Sequence, residues 1–441
     1  MSPRAGLVLE GSSGTATTAS PRWQRGRAAT ERREQALDVA VLDISLRQGL
    51  LALQQLGRAG HVVGAIECES TKPVPAFGSR MCGAWAVVPD RETQPHRMVD
   101  AVLALVHERS VRTIIPLHDG TIDAISARRG ELERWCAVAL AAPAALDAAN
   151  DKNKTLGVAA ELGIRVPRCV HVNQEADVAA AITEIGLPAV AKPTRSWVTN
   201  DGDPQRLSPA AVVSLDEARA AVAALRGVGS DVLFQEWIPG AREAVSFVYA
   251  NGRFWGEFAQ VARRMVPILG GNSVARESID LPADAADAAR RLVAALDLEG
   301  YAEVEFRRDA AGIPVLMEIN PRLSASVGIA VRAGVNFPLL LHDWATGQRL
   351  DRSSGYRRGV RMRWLAGDIR WVIDSVRSQG RPDAEPVARV LWAFTRDFAR
   401  ASAYDYVAPD DLRPAAIATW GAVRSTRRTV AKRLPWRIGN R

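Results

Sequence analysis

Lysine is scarce in this 441-residue chain: Lys72, Lys152, Lys154, Lys192 and Lys432 are the five, so nearly all its positive charge is arginine. Three of the five fall in one segment, which makes them worth locating. Cysteine is nearly as rare, and Cys68, Cys82, Cys136 and Cys169 are scattered without a Cys-x-x-Cys spacing. That argues against structural zinc, and with no signal-peptide core at the N-terminus the four read as reduced thiols in a cytoplasmic protein. No uncharged apolar run approaches the roughly 18 residues of a spanning helix. Neither Gly-x4-Gly-Lys-Ser/Thr nor Gly-x-Ser-x-Gly occurs, so P-loop and nucleophile-elbow chemistry have no support.

What is present is 47% hydrophobic and 24% charged, the composition of a globular chain long enough for two or three domains. The net charge of +8 suggests nucleic acid until it is placed. Residues 1–35 carry six arginines against three glutamates, and residues 412–441 carry eight bases and no acid, which leaves a net −3 between them. With the basicity in the tails and no zinc finger or aromatic-basic signature, a nucleic-acid partner is not expected.

Residues 1–35, rich in Ser, Thr, Gly, Ala and Arg without apolar periodicity, read as a disordered leader. Residues 36–148 alternate strand and helix: strands at 39–44, 61–66 and 113–117, helices at 46–58, 98–108 and 122–135. This is the pattern of a parallel α/β sheet. Ligands reach such sheets at the carboxyl ends of strands, here His118-Asp119-Gly120, although Asp-Gly is also an ordinary turn. A second unit, residues 149–350, opens with a helix at Asp151-Lys152 carrying Leu156, Ala159 and Leu162 on one face. Buried strands follow, at Leu187–Lys192 and Val232–Gln235, then Glu236-Trp-Ile238-Pro-Gly240 and a strand from Glu243 to Tyr249. Lys192 and Glu236 each end an apolar strand, where a charged residue also serves as a solvated boundary.

The densest chemistry lies at 301–322. Tyr301–Phe306 and Ile313–Ile319 read as strands joined by an Asp309–Gly312 turn, a hairpin that brings Glu305 opposite Glu318. Two facing carboxylates repel unless a cation or proton sits between them. Alternation puts Glu318, Asn320 and Arg322 on one face, where oxygens suit Mg²⁺ and a guanidinium suits a phosphoryl group.

These parts together resemble the ATP-grasp superfamily over roughly residues 36–350. The order is Asp151-Lys152, Pro188-Ala-Val-Ala-Lys192-Pro193, Gln235-Glu236-Trp-Ile-Pro-Gly240, Glu305, and Glu318-Ile-Asn320-Pro-Arg322. The chain looks most like single-unit relatives of the carbamoyl phosphate synthase large subunit, among predicted carboxylate–amine ligases. The resemblance implies an α/β fold: a pre-ATP-grasp parallel α/β domain, then an ATP-grasp α+β domain, with a mostly helical C-terminal extension at 351–441. It implies that Lys152 and Lys192 hold ATP phosphates, that Glu236 and Ile238 lie along adenine, and that Glu243 takes the ribose hydroxyls. Glu305, Glu318 and Asn320 would bind Mg²⁺, with Mn²⁺ as substitute, and Arg322 the γ-phosphate or an acyl phosphate. By position and resemblance Arg264, with Arg276, would bind substrate carboxylate or transferring phosphate; the bland alternative is a solvated arginine pair.

Two departures stand out. The segment after Lys192-Pro193 has one glycine where many members have a Gly/Ser-rich flap. It either closes over phosphates through Arg195, Ser196 and Thr199 or is a mobile surface loop. The extension after residue 351 lies outside the shared core, and its tail from 412 interleaves Trp420, Val423, Val430, Leu434 and Trp436 with bases, the pattern of either a packing helix or a peripheral membrane contact. Ser324 and Ser326 are candidates to line the cavity. The expected activity is an ATP-dependent, ADP-forming carboxylate–amine or carboxylate–thiol ligase acting on small molecules through an acyl phosphate. Its alternatives are a carbamoyl- or carboxyphosphate-forming synthetase and a nucleotide-binding assembly protein without turnover.

Overall fold

The computed structural model describes residues 21–28, 36–70, 72–200, 203–268, 271–351, 355–380, 384–400 and 402–433. Most of the expected leader lies outside these residues. The part inside them is ordered: β1 (Gln24–Arg25) pairs with β4 (Cys82–Val88), and Trp23 donates its indole N–H to Leu105 O at 2.9 Å. An aromatic side chain with a buried partner fixes this stretch, where low-complexity neighbours suggested none.

The first unit is a six-stranded sheet in the order β1-β4-β3-β2-β5-β6, with β2 (Val39–Leu42), β3 (Val63–Cys68), β5 (Thr113–Ile115) and β6 (Ala137–Val138). All pairs except β1–β4 are parallel. The inner strands β2 and β3 are buried at every position, as helices on both faces require. Those helices are α1 (Arg47–Arg58), α2 (Pro95–Glu108), α3 (Asp119–Ala127), α4 (Arg129–Leu132) and α5 (Pro143–Asn150). Strand β4 escapes a reading by alternation because Gly83, Ala84 and Ala86 blunt it. At the carboxyl end of the sheet, Asp43 accepts from the Leu117 and His118 N–H groups (2.9 and 2.8 Å) and from Thr121 Oγ1 (2.6 Å). The start of α3, and so Asp119, is thereby held in place.

Helix α6 (Lys152–Glu161) is capped by Asp151, which accepts from the N–H groups of Asn153 and Lys154. It leads into a small antiparallel sheet, order β11-β8-β12-β7, made of β7 (Cys169–Val172), β8 (Ala189–Pro193), β11 (Ala210–Val212) and β12 (Val232–Glu236). With α7 (Val178–Ile185) and α8 (Leu215–Arg226) it closes a core of its own around Val172, Val178, Val222 and Phe234. Between β8 and β11 a hairpin, β9 (Trp197–Asn200) and β10 (Asp203–Arg206), projects toward α3. The segment after Pro193 is therefore a built hairpin. A side chain at Gly120 would collide with the Trp197 indole, so the glycine of His118-Asp119-Gly120 is needed for this close approach.

The large sheet runs β17-β16-β13-β14-β15-β18-β19. Its strands are β13 (Arg242–Ala250), β14 (Arg253–Val266), β15 (Asn272–Ser278), β16 (Gly300–Arg308), β17 (Pro314–Asn320), β18 (Arg361–Arg363) and β19 (Ala403–Tyr404). Helix α9 (Ala283–Ala295) covers one face, where Val245, Phe247 and Val304 share a core with Leu292 and the first unit's α2 and α5. Helices α10 (Gly328–Ala333) and α11 (Phe337–Ala345) pack against α1 through Leu53, Ile329, Phe337 and Leu341.

The C-terminal extension is helical apart from the two short strands that widen this sheet, with α12 (Leu365–Arg377), α13 (Val387–Arg396) and α14 (Arg413–Arg433). It is pinned to both units. Asp411 accepts from the Ser79 hydroxyl, Gln54 and the Arg80 N–H, while Asp405 takes Arg47 at 2.8 Å and Arg276 at 2.6 Å. No helix among the described residues is long and apolar enough to cross a membrane.

Candidate active site

The hairpin of β16 and β17 is set by its turn. Asp309 Oδ1 accepts from the N–H groups of Ala311 and Ile313 (both 2.9 Å), and Gly312 takes a φ of 78° that other residues avoid. From there Arg308 faces Pro314, and a bulge at Met317 brings Glu305 opposite Glu318 and Glu303 opposite Asn320. The bulge also turns the Met317 carbonyl toward Lys192, whose Nζ lies 3.3 Å from it and 3.3 Å from Gln235 Oε1. Lys192 thus reaches from the small sheet to the large one.

Around the pair the charges alternate. Arg242 Nη1 lies 3.1 Å from Glu305 Oε2, and the Asn320 amide donates to Glu305 Oε1 at 3.4 Å. Burial, together with Glu318 and Glu303, pushes the Glu305 carboxyl up to about 7 despite Arg242. Burial acts the same way on Glu318, but Lys192, Lys152, Arg242 and Arg322 outweigh it and hold Glu318 below the usual carboxylate range. Of the two facing carboxylates one is thus pushed up and the other held down. Burial lowers Lys192 to about 8 and lowers Lys152 as well. Lys152 Nζ donates to Ser196 Oγ at 3.1 Å, and Arg195 Nη2 sits 2.7 Å from Asp147 and 3.1 Å from Asp151. Ser196 is therefore next to Lys152; the Thr199 side chain lies outside the described structure.

Arg322 is held in a two-point grip by Asp119, Nε to Oδ1 at 2.5 Å and Nη2 to Oδ2 at 3.2 Å. Asp119 is buried, which works against its charge, yet Arg322 keeps its carboxyl down at about 2. Lys152, Glu318, Asn320, Arg322 and Asp119 line one cavity of about 210 Å³, together with Arg195 and Trp197. Lys192, Glu305, Glu236 and Ile238 stand outside that cavity.

Three expectations change. Glu243 points the wrong way: on β13, Arg242 and Ser246 face the carboxylate pair, and the residue between alternates faces the α9 side. Both its oxygens are taken by Arg308, which also binds Asp284. The Glu243 carboxylate is thus engaged away from the Glu305–Glu318 pair, contrary to the expected ribose role. Arg264 is 7% exposed and forks onto Asp368 (2.6 and 2.7 Å), with Nη1 on Asp397 at 2.7 Å and the guanidinium over Trp371. Arg276 is spent on Asp405. These two arginines fasten the C-terminal extension to the sheet, so neither is poised for substrate.

Glu236 ends β12 with its carboxylate on Arg168, 2.9 Å from Nε and 2.8 Å from the backbone N–H, so any contact it makes to a base would come from its main chain. Ile238 is buried, and its carbonyl accepts from Arg307 at 3.0 Å.

Glu303 was not singled out from sequence. Its Oε2 accepts from Ser324 (2.8 Å), Ser326 (3.0 Å), Gln260 (3.0 Å) and Ser246 (3.3 Å), so Ser324 and Ser326 are held on Glu303 and not in the cavity. The signal was there, since Tyr301, Glu303, Glu305 and Arg307 share one face by simple alternation.

Residues 230–367 match the family described as ATP-grasp in the biosynthetic pathway with Ter operon. Comparison with curated proteins finds no match. Among solved structures the chain is similar to biotin carboxylase from Campylobacter jejuni, crystallised as a beta-gamma-ATP complex, at 15% identity over 74% of each chain with a TM-score of 0.59. It is similar to the biotin carboxylase domain of the Hydrogenobacter thermophilus 2-oxoglutarate carboxylase, with MgADP, ADP and bicarbonate, at 14% identity over 74% of each chain and a TM-score of 0.58. An L-amino acid ligase from Bacillus licheniformis matches at 18% identity over 75% of this chain and 79% of the other, TM-score 0.54. At such identities the likeness speaks to fold, and it does not reach the narrower kinship with carbamoyl phosphate synthase.

Proposed function

We propose that this chain, which has the ATP-grasp fold, is an ATP-dependent, ADP-forming ligase that joins a small-molecule carboxylate to an amine or thiol. The observation that carries the reading is the register of Glu305 on Glu318, with Lys192 and Asn320 beside them and Lys152 and Arg322 lining the adjoining cavity.

The oxygens of Glu305, Glu318 and Asn320 fit Mg²⁺, and Mn²⁺ suits the same donor set. When bound, the cation neutralises phosphate charge and relieves the repulsion between the glutamates. Lys192 and Lys152 flank this point from the small sheet and from α6, so the phosphates of ATP would lie between the two sheets, with the base against Ile238. Arg322 is oriented before substrate arrives because Asp119 fixes its plane. It would meet the phosphoryl group as the bond to ADP breaks and the substrate carboxylate oxygen takes the phosphorus, giving an acyl phosphate. The amine nitrogen then attacks the acyl carbon, phosphate leaves, and the amine gives up a proton. No side-chain nucleophile is needed, and the reading requires none.

The test is ADP release from pooled carboxylic acids with hydroxylamine as general acceptor, the acyl phosphate being trapped as a hydroxamate. ADP release with hydroxamate supports the ligase. Release that responds to bicarbonate alone favours the carboxyphosphate route, which the resemblance to bicarbonate-bound biotin carboxylase brings forward. Tight ATP binding without release under any pool would leave a non-catalytic nucleotide-binding protein.

A further inference from the structure

A second group of metal-type donors lies where the two units meet, away from the nucleotide cleft. His61 sits in the turn between α1 and β3 of the first unit, and His342 and Asp343 sit on α11 of the second. One donor atom from each lies within 4.8 Å of the others. The two imidazole centroids are 4.3 Å apart with planes tilted by 50°, and His342 Nδ1 is 3.1 Å from Asp343 Oδ1.

We propose that His61, His342 and Asp343 bind a divalent transition cation of the Zn²⁺ type and so staple the first unit to the ATP-grasp unit. Two imidazoles and one carboxylate are the donors such ions prefer, whereas Mg²⁺ takes oxygen. The 3.1 Å between His342 Nδ1 and Asp343 Oδ1 is close to the edge of a tetrahedron with bonds of about 2 Å, about 3.3 Å. Two rings on one such ion have centroids roughly 5 Å apart, so the present 4.3 Å asks for an opening of under about 1 Å. His342 is buried, which restricts its ring.

Asp38, whose charge also acts on His61, accepts from the Val62 N–H at 2.8 Å and faces Arg112 at 3.8 Å. With three protein donors the fourth position would be open to water. None of the three donors lines the candidate active-site cavity, so the site is separable from the Mg²⁺ reading. Because α1 and α11 belong to different units, the binding energy would add to their association.

The experiment uses the untagged full chain, stripped with a chelator and titrated with Zn²⁺ and with Co²⁺. The expected result is one saturable equivalent per chain, tetrahedral Co²⁺ absorption bands, and a raised Tm. Removing one ligand should cost more than the roughly 10–100-fold lost when outer-shell partners change. His61→Ala, at a partly exposed turn, and Asp343→Asn should each lose the equivalent and the Tm response. Glu318→Ala should keep both. Absence of saturable binding, or an equivalent that survives in His61→Ala, or one lost in Glu318→Ala alone, overturns the proposal.

Discussion

If Arg264 fastens the C-terminal extension, removing its charge should cost stability while sparing chemistry. Arg264→Met keeps much of the apolar stem and deletes three charge-assisted hydrogen bonds, two on Asp368 and one on Asp397. Breaking a buried pair from one side costs about 3–5 kcal/mol. Asp368 keeps Arg363, with Nε at 2.8 Å and Nη2 at 2.6 Å on Oδ2, so the loss should sit at the lower end, about 3 kcal/mol. Asp368→Ala strands two buried guanidiniums and should cost more, about 5 kcal/mol. The order of the two losses is as telling as their size. Urea unfolding followed by tryptophan fluorescence reads the effect directly, since Trp371 lies under the Arg264 guanidinium. ADP release measured well below the lowered midpoint should stay within about threefold of wild type. An Arg264→Met protein of unchanged stability that has lost turnover would refute the reasoning and return Arg264 to the substrate.

Glu318→Ala should abolish ADP release and leave the circular dichroism and Tm close to wild type, and retained turnover would sink the metal assignment. Lys192→Ala should weaken ATP binding far more than adenosine binding in calorimetry; equal losses would make the lysine a structural strut. The kcat/KM for ATP should rise toward about pH 7 as Glu305 loses its proton to make room for the cation. It should fall above about pH 8 as Lys192 becomes neutral. A flat profile from 6 to 9 contradicts both roles. In the metal-free protein the raised Glu305 pKa means that the folded state keeps a proton the unfolded chain releases near 4.5. Its contribution is thus fully present below 4.5 and lost as pH rises through about 7, a loss that Mg²⁺ should reverse in thermal melts. For the basic tail, removal of residues 412–441 should reduce sedimentation with anionic vesicles if it is a membrane contact. Equal sedimentation of both proteins, or loss of folding on truncation, would leave it a packing helix, as the fit of Ile417 against Gly78 already suggests for its first turns.

The parts of the site that sequence made legible are those fixed by short-range rules. The hairpin follows from alternation and one Asp-x-x-Gly turn, although the bulge at Met317 that sets Glu305 on Glu318 was not legible, and Asp151 is legible as the cap that presents Lys152. What was misread depended on parity or on distance. Glu243 and Arg242 are neighbours, and only the pairing of β13 with β16 decides that Arg242 faces Glu305. Arg264 looked free because its partner, Asp368, comes 104 residues later, in an extension with no family pattern to place it. Asp119 was legible as a turn at a strand end, but its grip on Arg322 spans 203 residues.

The same long-range contacts bear on how substrate enters. The cavity of about 210 Å³ takes in Lys152, Glu318 and Arg322 but not Lys192, Glu305 or Ile238, so it is one part of the proposed nucleotide cleft. The packing says which part of the molecule is set to move. The small sheet has its own core, separate from the continuous core that joins the first unit to the large sheet. Elements with separate cores open at lower cost than elements sharing one. Across the cleft Lys192 reaches the Met317 carbonyl, Arg307 holds the segment after β12 through the Ile238 and Gly240 carbonyls, and the hairpin leans on α3 through Trp197 and His118. If Lys192 holds phosphate as proposed, an incoming phosphate offers it a stronger partner than a carbonyl at 3.3 Å, and ATP would replace this contact across the cleft. Closure and occupancy would then be coupled through one lysine without a separate sensor.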